Sequence, residues 1–383
     1  MMTFQFIRQL LFGMSFLIWI TPAAQSQSTI IGNFTFDGIN RSYRLYVPAS
    51  YVHGVPAPLL FNLHGYGSNN IEQELYGDFR PIADTAGFLL VHPNGTLDFN
   101  NTLHWNTFGT SNVNDVGFLS ALIDSIASVY SVDSQRVYST GMSNGGFMSF
   151  ALACNLSSRI AAVASVTGSM TNVNIGACMP SKPVPVMQIH GTADATVPYN
   201  GNFFFAAVPA VLNFWVSANG CNTQPIITPV PDINPNDGST AELYVYHDGL
   251  SGTEVQHYKI TGGGHSWPGA PININSTNMD FSASAVIWNF FRRYNLDGII
   301  TSSSKINYSA MVSYGPNPAS GTTRIIFAET SQRQIQVFDV YGRLIERKST
   351  NENETIIHFP SRGIYLIEVS DAISRQVIKI LNN

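Results

Sequence analysis

Charge is scarce in this chain. Asp, Glu, Lys and Arg make up only 11% of its 383 residues, with 19 Lys and Arg against 24 Asp and Glu. A nucleic-acid-binding surface needs clustered cations to neutralise phosphates, and these are too few and too scattered to build one. Cysteine is scarcer still, at 3 residues. With no Cys-x-x-Cys or His-x-x-His pair, the spacing of a structural zinc site is missing. Long apolar runs are also lacking after residue 26, so the mature chain has no candidate membrane-spanning helix. The one such run, Leu10 to Ile20, follows Arg8 and precedes Ala23-Ala24-Gln25-Ser26. A positive start, a short apolar core and small residues at its end are the pattern of a cleaved export signal. Residues 1–26 are therefore read as a signal peptide, cleaved after Ala24 or Ser26, and an extracellular or cell-surface location is expected. In an exported chain Cys154 and Cys178 can pair as a disulfide, which leaves Cys221 over.

What the chain does have is a globular composition, 44% apolar and 12% aromatic, at a length that suggests two or three domains. Residues 27–297 alternate short apolar runs with helical patterns. Leu59 to Leu63, Phe88 to Val91, Ala162 to Val166 and Val184 to Ile189 are continuous apolar stretches bounded by turn residues, as suits strands buried on both faces. Between them, Phe118, Leu119, Leu122, Ile123, Ile126 and Val129 recur at helical spacing. Asp115 reads as the N-cap of that helix. This alternation predicts an α/β fold, a mostly parallel sheet with helices on both faces. Residues 298–312 are polar and serine-rich and read as a linker. Residues 313–383 carry short strand patterns only and read as a small all-β domain, a sandwich.

The chemistry centres on Gly141-Met142-Ser143-Asn144-Gly145. A strand-like run, Arg136 to Thr140, precedes it, and a helical run, Gly146 to Leu152, follows. Gly-x-Ser-x-Gly in a strand–turn–helix is the nucleophile elbow of α/β-hydrolases. The partners of such a serine follow it in the order acid, then histidine. His265 lies in the glycine-rich loop Gly262-Gly263-Gly264-His265-Ser266-Trp267-Pro268-Gly269, and is the candidate base. Asp194 follows the strand Val186 to Ile189 and is the candidate acid, ahead of Asp232, Asp237 and Asp248. His190 reads as a satisfied strand-end residue. Backbone N–H groups of Asn144 and of Tyr66, or else Gly65, in Leu63-His64-Gly65-Tyr66-Gly67, are the candidate oxyanion donors. Trp267 and Trp105 are candidate substrate contacts. The expected reaction needs no metal or organic cofactor.

These segments, with Asn114-Asp115-Val116-Gly117-Phe118-Leu119, resemble the feruloyl esterase and polyhydroxybutyrate depolymerase group of carbohydrate esterase family one. The resemblance covers about residues 30–297. It implies a Ser143–Asp194–His265 triad, and as partners ester-bearing polymers or their oligomers. Feruloyl or acetyl esters of plant polysaccharide are the first expectation and polyhydroxyalkanoates the second. A non-catalytic surface-binding protein on the same scaffold is the alternative of another class. Related chains often carry, shortly before the last strand of the catalytic domain, a cysteine able to pair with one at the position of Cys221; here that region reads Tyr246-His247-Asp248-Gly249. Residues 313–383 resemble the C-terminal sorting domain of type IX secretion. The resemblance rests on Tyr314-Gly315-Pro316-Asn317-Pro318, Val337 to Arg343 and Gly363 to Ile367, with Gly315 where an aromatic is usual. It implies the type IX machinery as a partner. The aromatics Phe327, Phe338, Tyr341, Phe359 and Tyr365 lie in alternating strands and suit a core rather than a carbohydrate-binding platform.

Overall fold

The computed structural model describes residues 27–272, 276–300, 311–327, 332–339, 343–370 and 375–383. The signal-peptide reading and most of the linker fall outside these residues. The chain divides into two compact units, Met1–Ile300 and Thr301–Asn383.

The first unit is built on strands β1 (Ser28–Phe36), β2 (Ile39–Val47), β3 (Ala57–Leu63), β4 (Leu89–Pro93), β5 (Thr96–Leu97), β6 (Leu103–His104), β7 (Val132–Met142) and β8 (Ala162–Val166). It continues with β9 (Val186–Gly191), β10 (Ile226–Pro229), β11 (Thr240–Tyr246) and β12 (Val255–Thr261). Ten of them form one sheet in the order β1-β2-β4-β3-β7-β8-β9-β12-β11-β10. The strands from β4 to β12 in that order run parallel. Both margins turn antiparallel, β1 and β2 on one side and β11 and β10 on the other.

The parallel centre is apolar on both faces because helices cover both. Successive side chains on a strand point to opposite sides. Leu59, Phe61 and Leu63 of β3 enter a core with Phe118, Leu122, Met148 and Trp215. Leu60, between them, enters the other core with Phe79, Phe88, Trp288 and Phe291. The first face is covered by α3 (Asp115–Ala127), α4 (Asn144–Asn155) and α6 (Val208–Asn219); the second by α2 (Arg80–Ala86) and α7 (Ala283–Phe291). Short helices α1 (Asn70–Tyr76) and α5 (Asn172–Ala177) follow β3 and β8.

The helix read from the spacing of Phe118 to Val129, with Asp115 as its cap, differs from that reading at both ends. Its N-cap is Asn114, whose side chain accepts from Gly117 N, while Asp115 is already helical. Asp115 is instead a buried carboxylate that pairs with Arg41 and accepts from Asn106 N. The helix ends at Ala127, so Val129 falls outside it and is 63% exposed.

A small antiparallel pair, β13 (Tyr294–Asn295) and β14 (Gly298–Ile299), closes this unit. It takes Gly298 and Ile299 out of the stretch read as linker. The second unit holds two antiparallel sheets. One contains β15 (Met311–Gly315), β16 (Thr322–Phe327) and β19 (Glu354–His358). The other contains β17 (Arg333–Asp339), β18 (Leu344–Thr350), β20 (Gly363–Ser370) and β21 (Arg375–Asn382). Ile325, Phe327, Ile335, Val337, Ile357, Tyr365 and Ile367 share one core between them. Phe327, Phe359 and Tyr365 are buried in that core, Phe338 is half-buried, and Tyr341 lies outside the described residues.

Leu122 is fully buried. Leu122→Ala is expected to lower the unfolding free energy by about 2–5 kcal/mol, whereas Val129→Ala at the exposed position should change it by under about 0.5 kcal/mol. Urea denaturation of both variants checks this; equal losses would contradict the helix boundary.

Candidate active site

Ser143 stands between the end of β7 and the start of α4, with φ 55° and ψ −120°. A non-glycine residue at positive φ carries strain of about 1–3 kcal/mol, held only where surrounding structure dictates it. Here the surrounding contact is backbone on backbone. A Cβ added to Gly145 would lie 2.1 Å from the Leu63 carbonyl oxygen, and one on Gly141 2.6 Å from the same atom. Only glycine lets β3, β7 and α4 approach this closely. The Ser143 N–H donates to Val166 O at 2.8 Å, and its carbonyl accepts from Phe147 N at 3.0 Å, opening the helix. Its hydroxyl does not cap the helix.

The segment Leu63 to Gly67 crosses in front of the serine. A Cβ built on Gly65 would stand 3.5 Å from the Ser143 Cβ. His64 anchors this segment from below. Its Nε2 accepts from Gly95 N at 3.0 Å, so its Nδ1 carries the hydrogen and donates to Gly65 O at 2.8 Å. Burial lowers the His64 pKa to about 4, which keeps the ring neutral. Asn144 and Trp105 tie the same segment to the elbow. Asn144 Oδ1 accepts from Trp105 N at 2.6 Å, and its Nδ2 donates to Trp105 O and Thr107 Oγ1 at 3.0 and 2.8 Å. Trp105 Nε1 in turn donates to His64 O at 3.0 Å. Trp105 is fully buried, packed on His64 with ring centroids 5.1 Å apart. It therefore cannot be the substrate contact expected from sequence, because the bond from its indole N–H turns it into the protein. The first turn of α4 leaves N–H groups without helical partners. The Asn144 N–H is one of these, beside Ser143.

His265 and Asp194 arrive on two laced loops. After β9, Thr192 N donates to Ile260 O and Ala193 N to Gly263 O at 2.8 and 2.9 Å, while Gly262 N donates to Thr192 Oγ1 at 3.0 Å. His265 Nδ1 lies 2.8 Å from Asp194 Oδ2. A carboxylate only accepts, so the hydrogen is on Nδ1 and the Nε2 lone pair is left for chemistry. The other oxygen, Oδ1, accepts from Thr196 N and Val197 N, both at 2.9 Å. Burial works to raise the Asp194 pKa, but hydrogen bonds from His190 and His265, the His265 charge and the Val197 N–H outweigh it. The carboxyl is held well below the usual carboxylate range.

His190 is a second imidazole on this carboxylate, and its part was not legible in sequence beyond its being satisfied. Its Nδ1 lies 2.9 Å from Gln188 Nε2, a donor, and its Nε2 2.8 Å from Val197 O, an acceptor. The ring is thus a neutral Nε2–H tautomer, and that nitrogen is 3.3 Å from Asp194 Oδ2. Of the other downstream histidines, His257 is buried in β12 between Tyr199 Oη and Gln188 O, at 2.9 and 3.0 Å. His247 is half-buried and bonds to Asp248.

Ser143 and His265 line one cavity of about 220 Å³, together with Tyr66, Met142, Trp267 and Ile272 among others. The described residues make no hydrogen bond between Ser143 and His265; such bonds commonly tighten only when substrate is bound. Trp267 is 2% exposed and donates through Nε1 to Ser284 Oγ at 3.2 Å, so what it offers the cavity is apolar ring. Cys154 and Cys178 form a disulfide, whereas Cys221 is buried and free, its thiol pushed up to about 11 by burial.

Two expectations follow. A Cβ at Gly191 would meet Gly263 O at 2.1 Å and wedge the acid loop from the histidine loop. Gly191→Ala should therefore cost about 1–3 kcal/mol in urea denaturation; an unchanged midpoint would contradict the contact. Because the folded Asp194 pKa is depressed, its contribution to stability is present above about pH 4 and is lost as pH falls below that. Asp194→Asn should flatten the acid-side fall in stability between about pH 4 and pH 2, measured as denaturation midpoints, and parallel curves would contradict it.

Residues 41–197 match the model of the family described as esterase PHB depolymerase, and residues 314–383 match the secretion system C-terminal sorting domain. Among curated proteins, a bifunctional acetylxylan esterase/xylanase of Neocallimastix patriciarum is 29% identical over 70% of this chain, which spans 35% of that protein. Feruloyl esterase C of Emericella nidulans is 29% identical over 71% of this chain and 90% of its own length. Among solved structures, an acetyl xylan esterase from Aspergillus awamori aligns at a TM-score of 0.49 and 16% identity, covering 70% of this chain and 99% of that one. The first unit is thus similar to the feruloyl esterase and polyhydroxybutyrate depolymerase group of esterases, and residues 314–383 match a secretion sorting domain.

Proposed function

We propose that this is a secreted serine esterase whose nucleophile is Ser143, with His265 as base and Asp194 as the group that orients it. The bond of His265 Nδ1 to Asp194, in the cavity that Ser143 shares, is the observation that carries this reading. His265 Nε2 takes the Ser143 proton as Oγ attacks the ester carbonyl. The tetrahedral oxyanion accepts from the N–H groups of Asn144 and Tyr66, helped by the α4 dipole. The C–O bond to the alcohol then breaks, and that alcohol leaves with the proton held on His265. Water, deprotonated by His265, releases the acid and restores Ser143.

The substrate reading is an ester carried on a polymer, feruloyl or acetyl esters of plant polysaccharide first. The relatives' names support this class. The cavity of about 220 Å³, walled by Met142, Trp267 and Ile272, favours an aromatic acyl group, since an acetyl group would leave most of it empty. Polyhydroxyalkanoate is the second reading, favoured by the family match over residues 41–197. Catalysis is proposed without a metal or organic cofactor. The sorting domain supports export to the outside of the cell or its outer surface, through the type IX machinery.

Ser143→Ala is expected to lower kcat/KM on methyl ferulate or a short p-nitrophenyl ester by at least about 10³-fold. A wild-type rate in that variant would sink the assignment. Intact-mass analysis of the exported protein should find the second unit removed or linked to a surface anchor; an unmodified full-length chain would argue against its role in sorting.

A further inference from the structure

The side of the cavity formed by Ser68, Glu72 and Tyr76 has a property that sequence did not reveal. Helix α1 begins at the Asn69 cap, which accepts from Ile71 N and Glu72 N. Glu72 and Tyr76 are then four residues apart, on one face of the helix, with Ser68 just before it. All three line the cavity that holds Ser143 and His265. Ser68 Oγ donates to Glu72 Oε2 at 2.7 Å. Because that hydrogen is taken, the one in the 3.3 Å contact between Ser68 Oγ and Tyr76 Oη comes from Tyr76. Tyr66, next along, has its own hydroxyl hydrogen committed to Asp98 Oδ2 at 2.6 Å. This side therefore presents lone pairs and no free hydroxyl hydrogen. Met142, Trp267 and Ile272, which also line the cavity, are apolar.

We infer that Glu72, supported by Ser68 and Tyr76, is a specificity-determining residue that selects aromatic acyl groups carrying a free hydroxyl. The inference rests on the esterase reading above and deepens it. A phenolic O–H finds a carboxylate acceptor there, and hydrogen bonds to a charged acceptor are the stronger kind. A methoxy oxygen has no hydrogen to give and sets lone pairs against lone pairs. An unsubstituted ring makes neither contact and leaves Glu72, which is exposed, to water. The expected order is hydroxyl, then hydrogen, then methoxy at the ring position that meets this wall. Solvent competes at an exposed carboxylate, so the preference for hydroxyl over methoxy should be about tenfold in kcat/KM.

The test is kcat/KM of the full mature chain on the methyl esters of 4-hydroxycinnamate, cinnamate and 4-methoxycinnamate, read as ratios within each variant. Glu72→Gln exchanges one acceptor for an amide donor, so it should erase or invert the hydroxyl-to-methoxy ratio. Ser68→Ala should reduce that ratio less, because Glu72 remains. Equal rates on the three esters in the wild type, or a ratio that survives Glu72→Gln, would overturn the inference while leaving the esterase reading intact. The sugar of a natural ester also carries hydroxyl groups. Discrimination absent from the methyl esters and present only in feruloylated arabinose would assign the wall to the alcohol half and overturn the inference. A wild type that hydrolyses no ester, p-nitrophenyl acetate included, would overturn both.

Discussion

The contact on which this structure turns has no side chain in it. Gly141 and Gly145 press against the end of β3, where a Cβ would come within 2.6 and 2.1 Å of the Leu63 carbonyl. That approach bends the chain so sharply between β7 and α4 that Ser143 is left at φ 55°. The same approach brings the segment Leu63 to Gly67 across the serine. A half-buried serine, a helix N-terminus behind it and a crossing loop before it are one geometric consequence of two missing methyl groups.

Polar groups then fix what the glycines permit. Asn144 uses its whole amide on Trp105 and Thr107, and Trp105 holds His64 O. Further out, Asp115 accepts from Asn106 N and pairs with the buried Arg41, whose guanidinium lies 4.0 Å over the Phe118 ring. Breaking a buried pair of this kind strands the remaining charge, so the loop carrying Trp105 is tied to the first core. On the other side of the serine, Asp194 takes contacts from two imidazoles and two backbone N–H groups. Rigid sheet ends thus supply every side chain proposed to act, as preorganised chemistry requires.

The sequence was most legible where one physical pattern served one purpose. Leu59 to Leu63 and Ala162 to Val166 read as strands because burial on both faces leaves no polar positions. Order and loop context marked Ser143, Asp194 and His265 as a candidate set, and the structure sets His265 Nδ1 2.8 Å from Asp194 Oδ2 and His265 beside Ser143 in one cavity. The margins were not: β1 lies mostly open to solvent and β18, Leu-Ile-Glu-Arg-Lys-Ser-Thr, is polar, so neither stands out as an apolar run. Trp105 misled because an aromatic's identity does not tell its direction; only the bond from its indole N–H to His64 O does. Asp115 resembled a cap because Asn114 beside it has the same chemistry. The committed hydroxyl hydrogens of Ser68, Tyr76 and Tyr66 belong to three-dimensional pairing, and no spacing rule reveals them.

The central claim is that the hydroxyl of Ser143, on its strained turn, is a nucleophile activated by the histidine on Asp194. The most direct measurement is reaction of the purified protein with a fluorophosphonate, followed by peptide mapping of the adduct. One equivalent bound at Ser143, with labelling that slows sharply when His265 is replaced by Ala, is the expected result. Labelling elsewhere, or at Ser143 with a rate indifferent to His265, would contradict it.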